Sequence, residues 1–220
     1  GTMLPIEAAG IKASDQTRGH RVVGGGNWLP VRGAGSYVTT LERQGVIVDP
    51  HRRRQLIQEQ IAALCKETGF RLNQDEALLD QAVYTTELPV SIIGSFKEAY
   101  LDMPEDILIT SMKEHQGFFS LRNRQTGKLA AHFIAVANNR VKNMSLIREG
   151  NERVLAARLA DAKFFFNEDR KIKLAERGKK LAGVTFHQKL GTMAQKQERV
   201  KKLAGFITAH LYPGQDELRQ

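Results

Sequence analysis

Leu56, Ile57, Ile61 and Leu64 recur at helical spacing between Asp49-Pro50 and Gly69. Asp at an N-cap with Pro at the first helical position opens a helix and Gly stops one, so a helix is expected across this stretch. A second helix is predicted from the capping-box pattern Asn73-Gln-Asp-Glu76, burying Leu78, Leu79, Ala82 and Val83 before Pro89 ends the run. Val90 to Phe96 is short, β-branched and largely uncharged, the composition of a central strand. Asp102, Pro104 and Glu105 signal a third helix, with Ile107, Leu108 and Met112 inward, reaching about His115. Phe118 to Arg122 and Leu129 to Ala137 flank Gln125-Thr126-Gly127-Lys128 and predict a hairpin. From Leu146 to Arg170 the period becomes 3.6, with Leu155, Leu159, Ala162 and Phe166 on one face. Helical stretches at about 172 to 182 and 192 to 210 follow, the last expected to bury Val200, Leu203, Ala204 and Ile207.

Ahead of these elements the first 35 residues are loop-rich, with Gly24-Gly25-Gly26, Gly33-Ala-Gly35, and Val22-Val23 and Trp28 to Val31 as short strand candidates. Tyr37 to Arg43 reads as a short helix ended by Gly45, and Val46-Ile47-Val48 as a strand. The expected fold is therefore α/β, of the α+β kind, over residues 1–140 with its body from about 36, then a helical segment over 141–220. Asn138 to Asn143 is the boundary candidate.

The 220 residues are 41% hydrophobic with one Cys, which excludes a disordered chain or a disulfide scaffold. No apolar run approaches the roughly 20 residues that span a bilayer, so a soluble, membrane-free protein is expected. Cys65, in a helical pattern, reads as a small core residue rather than a reactive thiol, in keeping with a cytoplasmic setting. No secretory leader is visible before the first element, and Gly1-Thr2 ahead of Met3 has the look of a cloning remnant, so the chain's ends need not be the protein's. The net charge of +9 is unevenly placed: residues 140–202 hold 17 Lys or Arg against 7 Asp or Glu. Such a field favours an anionic partner such as nucleic acid, or is simply a solvated helical face.

Chemistry-bearing groups are sparse. No GxxxxGK[ST], strand-borne GxGxxG, HExxH or CxxC occurs, His187 has no legible co-ligands, and neither a catalytic nor a metal site is expected. Lys113 and His115 close a helix just before the hairpin, either as solvated C-terminal cations or as contacts to RNA or a partner. Arg153, Arg158 and Lys163 lie on the long helix but not on one stripe, so they offer a partial phosphate track or helix solubility. Phe164-Phe165-Phe166 reads as packing on both sides of a buried helix rather than a base-stacking platform.

Several motifs, in order, carry a family resemblance. Ala9-Gly-Ile-Lys, Gly19-His-Arg, Gly45-Val-Ile-Val-Asp49, Glu87-Leu-Pro-Val90, Gly94-Ser-Phe96 and Ile109-Thr-Ser-Met-Lys-Glu-His-Gln116 cover the first part. Glu149-Gly-Asn-Glu-Arg-Val-Leu155, Ala157-Arg-Leu-Ala-Asp-Ala-Lys-Phe-Phe-Phe166 and Phe186-His-Gln-Lys-Leu-Gly-Thr192 cover the rest. Together they resemble the beta subunit of bacterial heterotetrameric glycyl-tRNA synthetase, of which this chain would be an internal portion. The resemblance implies a sheet domain like the B3/B4 region of the phenylalanyl-tRNA synthetase beta subunit, then a helical linker and the start of an HD-like domain. It implies partnership with the alpha subunit in an alpha2beta2 enzyme and with glycine tRNA; from their places in the chain, Lys113, His115, Arg153, Arg158 and Lys163 are the expected tRNA contacts. ATP and Mg2+ would act on the alpha subunit, with no cofactor in this chain. Departures are Val22 after His20-Arg21, where the family has Phe, and Gly117-Phe-Phe-Ser120 after the Gln116 motif. The function so implied is non-activating support of tRNA glycylation; a protein-binding scaffold and a hydrolytic editing domain are the alternatives.

Overall fold

A computed structural model describes residues 4–140 and 143–211. The chain divides into two compact units, residues 1–163 and 164–220.

In the first unit, β1 (Glu7–Ala8) pairs with β2 (Ile11–Lys12), and β3 (Gln16–Arg18) with β4 (Trp28–Pro30), as two small antiparallel ribbons. Then come α1 (Ala34–Arg43), α2 (Pro50–Thr68), β5 (Phe70–Leu72), α3 (Glu76–Thr85), β6 (Val90–Ser95), α4 (Glu105–Gln116), β7 (Phe119–Asn123), β8 (Leu129–Ala137) and α5 (Met144–Arg170). The unit boundary falls within α5. Strands β5 to β8 form one antiparallel sheet in the order β5-β7-β8-β6. Mixed helix and antiparallel sheet is the α+β arrangement expected.

One face of this sheet carries the main core. Ile57, Ile61 and Cys65 of α2 and Leu78, Leu79, Ala82 and Val83 of α3 pack with Phe119, Leu121, Ala130 and Ile134. Because side chains alternate along a strand, Phe133 points to the opposite face, where it stacks on Phe118 at 4.6 Å between centroids. Its ring lies across Gly94, where an added Cβ would come within 2.5 Å of Phe133 Cζ. Strand β8 is buried on both faces and so reads as a nearly unbroken apolar run.

Helix α2 starts and stops as the sequence predicts: the Asp49 carboxylate accepts from His51 N–H at 2.9 Å, Pro50 is the first helical residue, and Gly69 ends it at φ 75°. Four expectations in this first unit need correction. Val46-Ile47-Val48 is not a strand; Ile47 N–H donates to Glu87 O, and Arg53 donates to the carbonyls of Ile47, Val48 and Val83. Helix α3 is capped by Asp75, whose Oδ1 accepts from Leu78 N–H, while Asn73 pairs with Ser120 on β7. Strand β6 is an edge strand, its outer N–H groups at Ser91 and Ser95 held by Gln60 and Glu152 side chains, which blunts an otherwise open edge. Val22-Val23 lies in a turn, and the partner of β4 is β3, a strand no pattern announced.

That turn is anchored by His20. The imidazole is 2% exposed; Nδ1 accepts from the N–H groups of Val22 and Val23 at 3.2 Å, and Nε2 lies 2.9 Å from Asn138 O. Two donors on Nδ1 place the proton on Nε2, so Nε2–H donates to the end of β8. Asn138 Oδ1 in turn accepts from Glu87 and Leu88 N–H, tying three segments together.

The second unit contains α6 (Leu174–Gly178), the hairpin of β9 (Thr185–His187) and β10 (Gly191–Thr192), and α7 (Met193–Leu211). Helix α7 buries none of its residues, against expectation: Val200, Leu203 and Ile207 are exposed. Phe164 and Phe165 are likewise exposed, at 59% and 63%, and stack edge-on rather than into a core.

Candidate nucleic-acid interface

The five basic candidates occupy different settings. Lys113, in the last turn of α4, forms an ion pair with Asp75, Nζ to Oδ2 at 2.6 Å. Asp75 thus caps α3 with one oxygen and holds Lys113 with the other. Lys113 lowers the Asp75 carboxyl below its ordinary range, and the carboxylate raises the Lys113 ammonium. The charge of Lys113 is therefore used in joining two helices. His115, two residues on, is exposed.

Lys163 is half-buried; its Nζ donates to Ala99 O at 2.9 Å and lies 5.7 Å from the Tyr100 ring centre. Arg153 and Arg158 are exposed on α5 and take part in no ion pair among the described residues. Five residues apart, they diverge by about 140° around the helix. The candidates thus do not converge on one site: Arg153, Arg158 and His115 are open cations or donors, while Lys113 and Lys163 are fixed in packing.

A cluster that no motif announced lies beside the sheet. Arg71 on β5 is the cross-strand neighbour of Arg122 on β7, and Arg124 follows two residues on. With Gln58, Cys65 and Asn73 they line a groove of about 720 Å³. Arg122 is engaged by Glu105 at 2.9 Å, and Arg124 Nε donates to Phe70 O at 2.7 Å. Burial pushes the Cys65 thiol up, keeping it protonated and unreactive at the edge of this groove. The i, i+2 spacing of Arg122 and Arg124 was the available signal; its pairing with Arg71 was hidden because β5 is only three residues long.

In the second unit, residues 164–211 hold eleven Lys or Arg against four Asp or Glu. Lys196 Nζ sits 4.1 Å from the Phe186 ring centre, and a shallow groove of about 920 Å³ is lined in part by Lys179, Lys189, Arg199 and Lys202. His187 uses Nδ1 to accept from Lys189 N–H. Among the described residues no group of three or more His, Cys, Asp or Glu side chains gathers as a metal site would, and no helix is long and apolar enough to cross a membrane.

The described residues thus form an α+β unit and, after it, a basic and largely helical stretch, with the Arg153 and Arg158 guanidinium groups exposed. The family profile described as glycyl-tRNA synthetase beta subunit matches residues 1–220, and the chain belongs to that family. It is 45% identical over 203 residues to the glycine–tRNA ligase beta subunit of Moorella thermoacetica, covering 92% of this chain and 29% of that relative. The corresponding protein of Desulforudis audaxviator is 42% identical over 215 residues, 98% of this chain and 31% of the relative. That of Syntrophotalea carbinolica is 38% identical over 220 residues, 100% and 32%. The chain thus spans about 30% of the length of these relatives.

Proposed function

We propose that this chain is a tRNA-binding and positioning portion of a glycine–tRNA ligase, working beside an alpha subunit that performs ATP- and Mg2+-dependent glycine activation. The observation that carries this reading is family membership along all 220 residues. The exposed guanidinium groups of Arg153 and Arg158, outside every ion pair among the described residues, support it. Cations not committed to internal pairs are free to displace counterions from a phosphate backbone, a contribution that falls with salt. The chain would act in the cytoplasm within an alpha2beta2 enzyme. Its sheet unit would correspond to a B3/B4-like domain, and the helices after about residue 140 to a linker and the beginning of an HD-like domain.

Binding of the chain to glycine tRNA and to an unrelated tRNA, each followed against salt, tests the reading. Preference for glycine tRNA, weakened by Arg153→Glu or Arg158→Glu, is the expected result. Equal binding that vanishes by physiological salt would sink it. A scaffold role is the second reading, favoured by the exposed Val200, Leu203 and Ile207 of α7; an assembly in which those residues become buried against protein while RNA affinity is absent would establish it instead.

A further inference from the structure

The ribbon of β3 and β4 is one-sided. Its register pairs Gln16 with Pro30, Thr17 with Leu29 and Arg18 with Trp28. Since side chains alternate, Thr17 and Leu29 share a half-buried face, and Gln16, Arg18, Trp28 and Pro30 share the face open to solvent. The largest apolar side chain of the ribbon therefore stands outward, Trp28 being 59% exposed, although burial would favour Trp on the inner face. The Arg18 guanidinium lies over its ring at 4.1 Å from the centroid.

The surroundings are basic. Residues 11–33 hold Lys12, Arg18, Arg21 and Arg32 against Asp15 alone, and all four cations are exposed. The β3–β4 ladder is extended by Val31 N–H donating to Asp15 O at 2.6 Å, and two residues beyond Arg18 the buried His20 fastens the chain to Asn138. An exposed aromatic stacked on a guanidinium, in a stretch of chain with surplus positive charge, has the chemistry that takes an unpaired base and its phosphates. A protein partner would call for an apolar patch around Trp28, whereas its ribbon neighbours on that face are Gln16, Arg18 and Pro30.

We propose that Trp28 and Arg18 form a stacking platform for an unpaired base of tRNA, with Arg21 and Arg32 meeting the adjoining phosphates. This rests on the tRNA-binding reading above and adds to it a site distinct from α5. Trp28 is the chain's one tryptophan, so its emission reports on the platform without a label. The 220-residue chain is titrated with glycine tRNA, with a single-stranded RNA and with a blunt RNA duplex. Trp28 emission and the anisotropy of end-labelled RNA are both followed.

The expected result is saturable quenching by tRNA and by the single strand at the midpoint seen in anisotropy, with none by the duplex. Trp28→Ala should weaken tRNA binding about tenfold, and Trp28→Phe should restore most of it. If tRNA binds by anisotropy while Trp28 emission stays unchanged, or if the duplex quenches equally, the platform falls and the tRNA reading stands. If neither readout moves with any RNA, both fall. If emission shifts on adding the alpha subunit and not on adding RNA, the ribbon belongs to a subunit contact and the platform is overturned.

Discussion

Helices α2 and α7 are both 19 residues long, and their apolar periodicity reads alike in the sequence. Yet α2 buries Ile57, Ile61 and Cys65 against the sheet, while α7 buries nothing among the described residues. Periodicity specifies which face of a helix is apolar; it says nothing about whether the surface that would cover it lies in the same chain. The charges divide within each unit instead. In the first, Lys113, Arg122 and Arg54 are tied to carboxylates while Arg153 and Arg158 stay open; in the second, Lys171 and Arg177 are paired within a large cationic surplus.

The sharpest way to break this contrast is by side-chain deletion. Ile57 is 0% exposed, and Ile57→Ala should cost about 2–5 kcal/mol in urea unfolding. Leu203→Ala, at a 59% exposed position, should change stability by no more than about 0.5 kcal/mol. A loss at Leu203 comparable to that at Ile57 would mean that the α7 face is packed.

Two glycines, one in each unit, stand in opposite settings. Gly94→Ala drives a methyl into the Phe133 ring and should cost about 1–3 kcal/mol, less if Phe133→Leu is made alongside it. Gly205, inside α7, has open space where a Cβ would stand. Gly205→Ala should therefore stabilise the helix by about 0.5–1 kcal/mol, seen as gained helicity by circular dichroism. Equal destabilisation by both changes would show that Gly205 is closely approached.

Much of the first unit was legible because local signals and packing agree there. Asp49-Pro50 and Gly69 mark real helix ends, the four apolar residues expected inside α3 are all buried, and the hairpin turn joins β7 to β8. What was missed depended on neighbours. Val46-Ile47-Val48 has strand composition, but the carbonyls of Ile47 and Val48 are taken by Arg53. Asn73 matches a capping box, but pairing with Ser120 draws it to the sheet and leaves the cap to Asp75. β6 is apolar like a central strand, yet it is an edge whose open N–H groups at Ser91 and Ser95 are taken by the Gln60 and Glu152 side chains. The basic candidates show the same limit, since only spatial geometry separates the committed Lys113 from the open Arg153.

That separation is itself measurable. Removing one phosphate-binding cation should reduce the salt slope by about 0.9 and weaken binding roughly fivefold at about 0.15 M salt. Arg153→Gln and Arg158→Gln should each do this with unfolding unchanged, whereas Lys113→Met should lower stability and leave RNA affinity where it was. Reversed behaviour, with Lys113→Met weakening RNA binding at unaltered stability, would move the interface to the α3–α4 junction.

The smallest effects expected are with pH, and they trace to the first unit. His132 stands on β8 with its ring 4.5 Å from that of Phe70 and Nδ1 buried without a partner among the described residues. Desolvation lowers its pKa below the ordinary 6.5, outweighing the opposing pull of Glu98 and Glu152. A base whose folded pKa is depressed stays neutral in the native state while the unfolded chain takes up the proton, so stability is full above about 6.5 and declines as pH falls below it. Asp75 and Glu105 are carboxyls lowered by Lys113 and by the Leu129 N–H with Arg122, respectively. Their contributions are complete above about pH 4.5 and are lost as pH falls through the depressed native values. The urea midpoint should therefore show two declines, a shallow one as pH falls below about 6.5 and a second below about 4.5. His132→Gln should remove the first and spare the second, and Asp75→Asn should diminish the second alone. A shallow decline that survives His132→Gln would place the titrating group elsewhere, and its persistence in a variant altered only on α7 would confine it to the sheet unit.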